Sequence, residues 1–104
     1  IKMKKLIAQR EIDVNEEGYL TDFSQWNKAI GTEIAKDHNI EMTENHWEVV
    51  DWIQEKVNAG AALSIRGIKR SGVIDVKKFY QLFPGGPLKI STKIAGVPKP
   101  KSCI

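Results

Sequence analysis

The chain carries one thiol, Cys103, the last residue but one of its 104 residues. It follows Pro98-Lys99-Pro100-Lys101-Ser102, a stretch suited to an extended, fairly stiff course. The thiolate is the form of cysteine that attacks. A thiolate that must enter the sites of several different proteins is better carried on a tether than held in a rigid cleft. Lys99 and Lys101 favour the thiolate slightly, but in water they move a pKa near 8.5 only a little, so activation would fall to partners. An incidental surface cysteine is the alternative, and position alone does not decide between them.

The other chemistry-bearing residues form no second centre. His38 and His46 with Cys103 lack the short ligand spacing of a metal site. Nucleophile elbow, phosphate loop and paired carboxylates are also missing. Neither a metal nor an organic cofactor is therefore expected. His46 and Trp47 read as residues that cap and pack a helix.

The elements that must position the thiol follow from pattern. The length suits one domain with a modest core, and 41% hydrophobic with 28% charged residues is ordinary for a globular chain. No apolar run approaches the ~20 residues of a membrane helix. The first residues, IKMKKLIAQREIDV, lack the pattern of a signal peptide. One cysteine cannot close an internal disulfide and survives best where thiols stay reduced, so a cytoplasmic protein without membrane contact is expected. A net charge of +3 suits acidic partners without requiring them.

Residues Lys4 to Leu20 read as short strands, an edge hairpin or meander with a glycine turn before Tyr19. From about Asp22 the period becomes helical, with Trp26, Ile30 and Ile34 on one stripe and a polar stop near Asn39. Thr43 caps the next helix, which turns His46, Val49, Val50, Ile53 and Val57 inward and stops at Gly60. A short helix over Ser64 to Arg70 and another capped by Asp75 follow, the second with Val76, Phe79, Tyr80 and Phe83 on a buried stripe. Residues 84–104 hold all four prolines and three of the eight glycines. They show no sustained periodicity and read as an arm. The division is thus a body, 1–83, and an arm, 84–104. The 11 residues from Lys93 to Cys103 span at most about 35 Å.

The tail, LFPGGP followed by TKIAGVPKPKSCI, closely resembles the C-terminal signature of the DsrC/TusE family of sulfur-relay proteins: L-F-P-x-G-P, then K-x-A-G-x-P-K-P and a penultimate cysteine. DVNEEGYL followed by Trp26 resembles the family's D-x-x-G-[FY]-L then W, and MTENHWEVV its L-[ST]-x-x-H-W-[EK]-V-[IV] helix start. The resemblance implies an α+β fold, with a small antiparallel N-terminal sheet against a helical array and a flexible C-terminal arm. It implies that Cys103 accepts sulfur as a persulfide and that Lys93, Gly96, Pro98, Lys99 and Pro100 form the arm motif. Arg66 aligns with a family arginine suited to contact the arm or its thiolate; a plain solvated arginine is the other reading.

Members that serve dissimilatory sulfite reductase carry a second cysteine 11 positions before the penultimate one. Here that position is Thr92, which excludes a two-thiol cycle and resembles the branch that relays sulfur toward 2-thiouridine in tRNA. The implied partners are an upstream persulfide-donating sulfurtransferase complex and a downstream tRNA-thiolating enzyme, with sulfite reductase as the alternative. The implied activity is a covalent relay, not free-standing turnover. Two other readings remain. SIRGIKRSGVIDVKKFYQLF has the helix, turn, helix order of a DNA-binding motif, with Arg66, Lys69, Arg70, Lys77 and Lys78 as candidates for contact with DNA or tRNA. SCI could serve as a tail ligand for a peptide-capturing domain.

Overall fold

Two strands open the chain in the structure, a computed structural model that describes residues 3–99. Pro100 and Cys103 lie outside the described residues. β1 (Met3–Ile7) and β2 (Arg10–Val14) pair antiparallel, with Ile7 opposite Arg10 and Met3 opposite Val14. Their connection, Ala8 and Gln9, takes φ values of +51° and +66°, the left-handed pair that lets a two-residue turn follow the strand twist. Ile12 and Val14 face the core. The expected meander contracts to this hairpin and a single bridge from Val14 to Leu20. Asn15 closes the intervening turn, its Oδ1 accepting from the amides of Glu17 and Tyr19.

A 3₁₀ turn (Phe23–Gln25) precedes α1 (Lys28–Asp37), which Asn27 caps by accepting the Ile30 amide. Trp26 sits between the two with extended backbone, so it is not part of the α1 stripe with Ile30 and Ile34. α1 stops where expected: Asn39 takes φ +59° and the Ile40 amide reaches back to the Ala35 carbonyl at 2.9 Å, a left-handed helix cap. α2 (Glu44–Asn58) buries His46, Val49, Val50 and Ile53. α3 (Ile65–Ser71) is capped by Ser64 and ended by left-handed Gly72. α4 (Val76–Leu82) buries Phe79. Tyr80 is not on its buried stripe but 45% exposed, because Phe79 and Phe83, four apart, already fill the inward face.

The main correction concerns residues 84–97. Instead of an arm, the structure has α5 (Pro87–Ile94), with Leu88, Ile90, Ser91, Thr92 and Ile94 buried. It packs against α1, α2 and α4. Two of the four prolines flank it harmlessly. Pro84 follows α4, and Pro87 occupies the first helical turn, where the missing amide would have had no partner. The helix keeps a one-faced pattern, but it is only two turns long and sits between proline and glycines, which hides that pattern in the sequence. Only Lys89 is exposed and Lys93 half-buried, and their spacing of four marks the one wet stripe.

Within the core, His46 fixes the start of α2. The Thr43 amide donates to Nδ1 at 3.0 Å, so Nδ1 must be the acceptor and Nε2–H donates to the Leu82 carbonyl at 3.0 Å. The ring is neutral, and burial holds its pKa below the ordinary 6.5 despite the Leu82 carbonyl, which acts to raise it. His38 is likewise held down by burial and then by Lys93.

Two outcomes follow. A chain ending at Gly86 loses Leu88, Ile90, Ile94 and Val97 from the core. At roughly 2–5 kcal/mol for each large aliphatic against a total near 5–15 kcal/mol, it is expected to show no cooperative thermal transition by circular dichroism. A sharp transition near that of the full chain would contradict a core role for α5. The histidines give a pH signature. Their folded pKa values lie below 6.5, so the unfolded chain takes up the proton first. Stability is full above about 6.5 and falls as pH drops through that value, until the folded rings also titrate. Glu17 and Asp22 are also lowered, but from 4.5 and 3.8, so their losses come at more acid pH. Thermal melts from pH 7.5 to 5 should show the decline, and His46→Leu should flatten it to the His38 share.

Candidate functional site

The described chain runs on toward the cysteine-bearing segment from the C-terminal end of α5. A helix ends with carbonyls that have no partner within it, and here they lie inside the protein. The Gly96 amide bonds the Lys93 carbonyl and the Val97 amide the Thr92 carbonyl, both at 3.2 Å. With Gly96 at φ +73° this is a Schellman cap. Side chains complete the set, Trp26 Nε1 donating to the Ile94 carbonyl at 2.7 Å and Gln54 Nε2 to Ala95 at 2.8 Å, while Tyr19 Oη ties the first turn of the same helix by donating to the Lys89 carbonyl at 3.0 Å.

Gly96 is required twice over. Its φ is one that side chains rarely adopt, and a Cβ there would lie 2.4 Å from Trp26 Cδ1. Trp26 thus packs flat on the cap while its indole N–H closes the helix. On its other side it presses on Gly31 of α1, where a Cβ would meet Trp26 Cζ2 at 3.2 Å. The K-x-A-G part of the tail signature is therefore a helix terminus, and the expected arm motif divides. Lys93 and Gly96 belong to the body, whereas Pro98 and Lys99 lie beyond the cap and are exposed. Lys99 Nζ pairs with Glu17 at 2.8 Å, and that hydrogen bond is the chief reason the Glu17 carboxyl is held below its usual value. Pro100 and Cys103 fall outside the described residues.

Thr92, at the position of the second cysteine in two-cysteine relatives, is fully buried in α5. Its Oγ1 donates to the carbonyls of Leu88 at 2.7 Å and Lys89 at 3.0 Å, alternative acceptors for one hydroxyl proton. Lys93 holds its ammonium 5.4 Å from the Tyr19 ring centroid. Burial first, then Lys89 and Lys5, depress its pKa.

The other candidates lie elsewhere. Arg66 is exposed on α3 and, with Lys69, Ile65 and Ile74, lines a hollow of about 640 Å³ between α3 and α4; Lys93 lines a different recess. Lys69, Arg70, Lys77 and Lys78 are exposed along the same two helices. Tyr19, Trp26 and Gln54 were missed as partners of the tail helix. The first two stand in motifs that the resemblance had flagged, but only the fold shows what they hold.

A small α+β body ending in a clamped helix, from which a short tail with one cysteine departs, defines the class of protein. The chain belongs to the DsrC-like family: the family model described as DsrC like protein matches residues 6–104. Among curated relatives, it is 38% identical over 103 residues to sulfurtransferase TusE of Salmonella typhimurium, covering 91% of this chain and 94% of the relative. It is 39% identical to the same-named protein of Photorhabdus laumondii, at 91% and 93% coverage. Among solved structures, Allochromatium vinosum DsrC superposes over the full length of both chains with a TM-score of 0.83 at 28% identity. The oxidized gamma-subunit of the dissimilatory sulfite reductase from Archaeoglobus fulgidus gives 0.78 at 28%, covering 98% of this chain and 100% of that one. No helix among the described residues is long and apolar enough to cross a membrane.

The geometry predicts that Gly96→Ala destabilises through both strain and overlap with Trp26. Positive φ costs about 1–2 kcal/mol and overpacking about 1–3 kcal/mol, so Tm should fall by ~10 °C or more for a domain of this size. Gly60→Ala, at φ +75° with nothing within 4 Å, carries the strain alone and should fall by about half as much. Equal losses would show that contact with Trp26 is not tight.

Proposed function

We propose that this protein is a sulfur carrier that takes sulfane sulfur from a persulfidated donor onto Cys103 and hands it to an acceptor in tRNA 2-thiouridine synthesis. The observation that carries the reading is its 36–39% identity to proteins named sulfurtransferase TusE, joined to a single thiol inside the family's tail signature. The Cys103 thiolate attacks the outer sulfur of the donor persulfide, the donor's S–S bond breaks, and the donor cysteine leaves as a thiolate. Delivery repeats the exchange with Cys103 as the leaving thiolate. Both steps move a sulfur atom without an external oxidant or reductant.

The body's part is to hold the root of the lever still. Among the described residues the last main-chain bond toward the C-terminus is that of the Val97 amide, and the six residues after it, to Cys103, reach at most about 20 Å. That is shorter than the reach expected from Lys93, yet long enough to enter a partner's cleft. The partners would be a persulfide-donating sulfurtransferase complex and a tRNA-thiolating enzyme, in a cytoplasmic setting. Arg66, exposed on α3, is proposed as the contact for the arm or its thiolate that its alignment with the family arginine implies.

The likeness to gamma-subunits of dissimilatory sulfite reductase supports a second reading, partnership with that enzyme, but Thr92 removes the second thiol. A nucleic-acid role for the α3–α4 pair is favoured only by exposed Arg66, Lys69, Arg70, Lys77 and Lys78, while Phe79 is committed to the core.

Incubating the wild type and Cys103→Ser with a persulfidated donor, then weighing the intact chains, tests the carrier. One added sulfur on the wild type and none on the variant is expected; equal loading of both would sink the proposal.

A further inference from the structure

We infer that the recess between β1, the Gly18 turn, α1 and α5 is a binding site for a small dianionic oxyanion of the phosphate or sulfate class. The recess encloses about 450 Å³ and is lined by Lys5, Glu17, Gly18, Asp37, His38 and Lys93, with Ile7 and Ile34 as its apolar wall. That is room for one oxyanion with a small substituent or a few waters.

The lining itself is neutral, Lys5 and Lys93 against Glu17 and Asp37, and the positive excess comes from Lys99 and Lys89 beside it. Both carboxylates in the wall are already engaged, Asp37 with Lys5 at 3.1 Å and Glu17 with Lys99 at 2.8 Å. Lys93 has no ion pair among the described residues, and neither ring nitrogen of His38 has a hydrogen-bond partner there. Lys89, one turn before Lys93, adds to the same field. A half-buried ammonium normally recruits a carboxylate in direct contact; this one lies over the Tyr19 ring, and Lys89 and Lys5 act on it more strongly than the carboxylates of Glu17 and Asp37. Its depressed pKa and that of His38, each lowered by burial and by neighbouring lysines, report a positive, partly dry cavity in which a charge-assisted hydrogen bond is strong.

Gly18 keeps the approach open. At φ +88°, the nearest atoms to a Cβ built there are Lys93 Nζ at 3.9 Å and Cε at 4.0 Å, so any longer side chain would crowd the ammonium. The recess favours a free or terminal oxyanion over a nucleic-acid backbone. Asp37 and Glu17 stand in its wall and would repel a polyanion drawn across the opening, whereas a compact anion can reach Lys93 and His38 directly.

The test uses the full chain, isotope-labelled and followed by NMR at pH 7.5. Sodium sulfate and inorganic phosphate are titrated separately against sodium chloride at constant ionic strength, with a single-stranded RNA oligomer as a further arm. Saturable shifts at Gly18, His38 and Lys93 with either oxyanion are expected, together with a raised His38 pKa in the bound form. Lys93→Met should weaken binding about tenfold or more, Lys93→Arg should largely restore it, and Lys69→Met on α3 should leave it unchanged. Lys89→Gln, an exposed change that spares the core, should weaken it more modestly. Shifts that match chloride and do not saturate overturn the proposal. So does a Lys93→Met chain that binds like wild type, and so does RNA outcompeting both inorganic anions at this recess.

Discussion

The carbonyl end of α5 is buried, and its acceptors must find donors inside the protein. A buried carbonyl left without a partner costs on the order of 1–3 kcal/mol, and several in one turn would outweigh much of the helix's apolar gain. Side-chain donors come from two separate parts of the chain, Trp26 before α1 and Gln54 on α2, and Tyr19 after the hairpin adds a bond to the Lys89 carbonyl in the first turn of the same helix. The constraint therefore gathers the fold. The hairpin turn must bring Tyr19 under α5, the extended break at Trp26 must turn its indole toward Ile94, and α2 must run alongside with Gln54 inward. The same set explains why Trp26 is kept out of α1, since a helical Trp26 could not serve both the Ile94 carbonyl and the flat face of Gly96.

A rigid root has a mechanical consequence for the tail. The cap at Gly96, closed by Val97 and covered by Trp26, sets the direction in which the chain leaves the body. Pro98 cannot continue a helix and has no amide to draw it back. Lys99 adds an exposed ion pair with Glu17, worth little in water and easily exchanged for a partner's carboxylate. Among the described residues, main-chain bonds hold the chain up to Val97 and Lys99 then makes an exposed ion pair, an arrangement compatible with the proposed carrier. The electrostatic layout agrees. α2 presents Glu44, Glu48, Asp51 and Glu55 to solvent while α3 and α4 present Arg66, Lys69, Arg70, Lys77 and Lys78, so a partner meets faces of opposite sign.

How much of this was legible in the sequence depended on whether a residue's role was local. α2 was readable because its cap, its apolar stripe and its glycine stop all lie within one stretch and agree. The stop of α1 at Asn39 was readable for the same reason. α5 was not, because its one wet face amounts to Lys89 and Lys93 in a helix of two turns, too short for the period to stand out. Proline at its first turn and two glycines before it look like disorder when counted, and like a helix start only when placed. Tyr80 was misread because the period allows either of two neighbours inward and the core had room for Phe79. The tail signature identified the family, but it could not reveal that Gly96 is fixed by a tryptophan 70 positions earlier in the chain. That contact exists only after folding.

Thr92 shows how the body constrains the chemistry assigned to the tail. In a two-thiol carrier, a second cysteine can attack the persulfide's inner sulfur, closing a disulfide and expelling the outer sulfur as hydrosulfide. The carrier then discharges itself. Here the corresponding side chain is a hydroxyl, fully buried and bonded to the carbonyls of Leu88 and Lys89. It offers no nucleophile that could compete, since an alcohol at neutral pH is far less ionised than a thiol and this one is committed as a donor. A persulfide on Cys103 therefore has no internal partner to which it can lose its sulfur. Under the proposed function its discharge then needs a thiolate from outside the chain, and that dependence suits a single-cysteine tail to delivery.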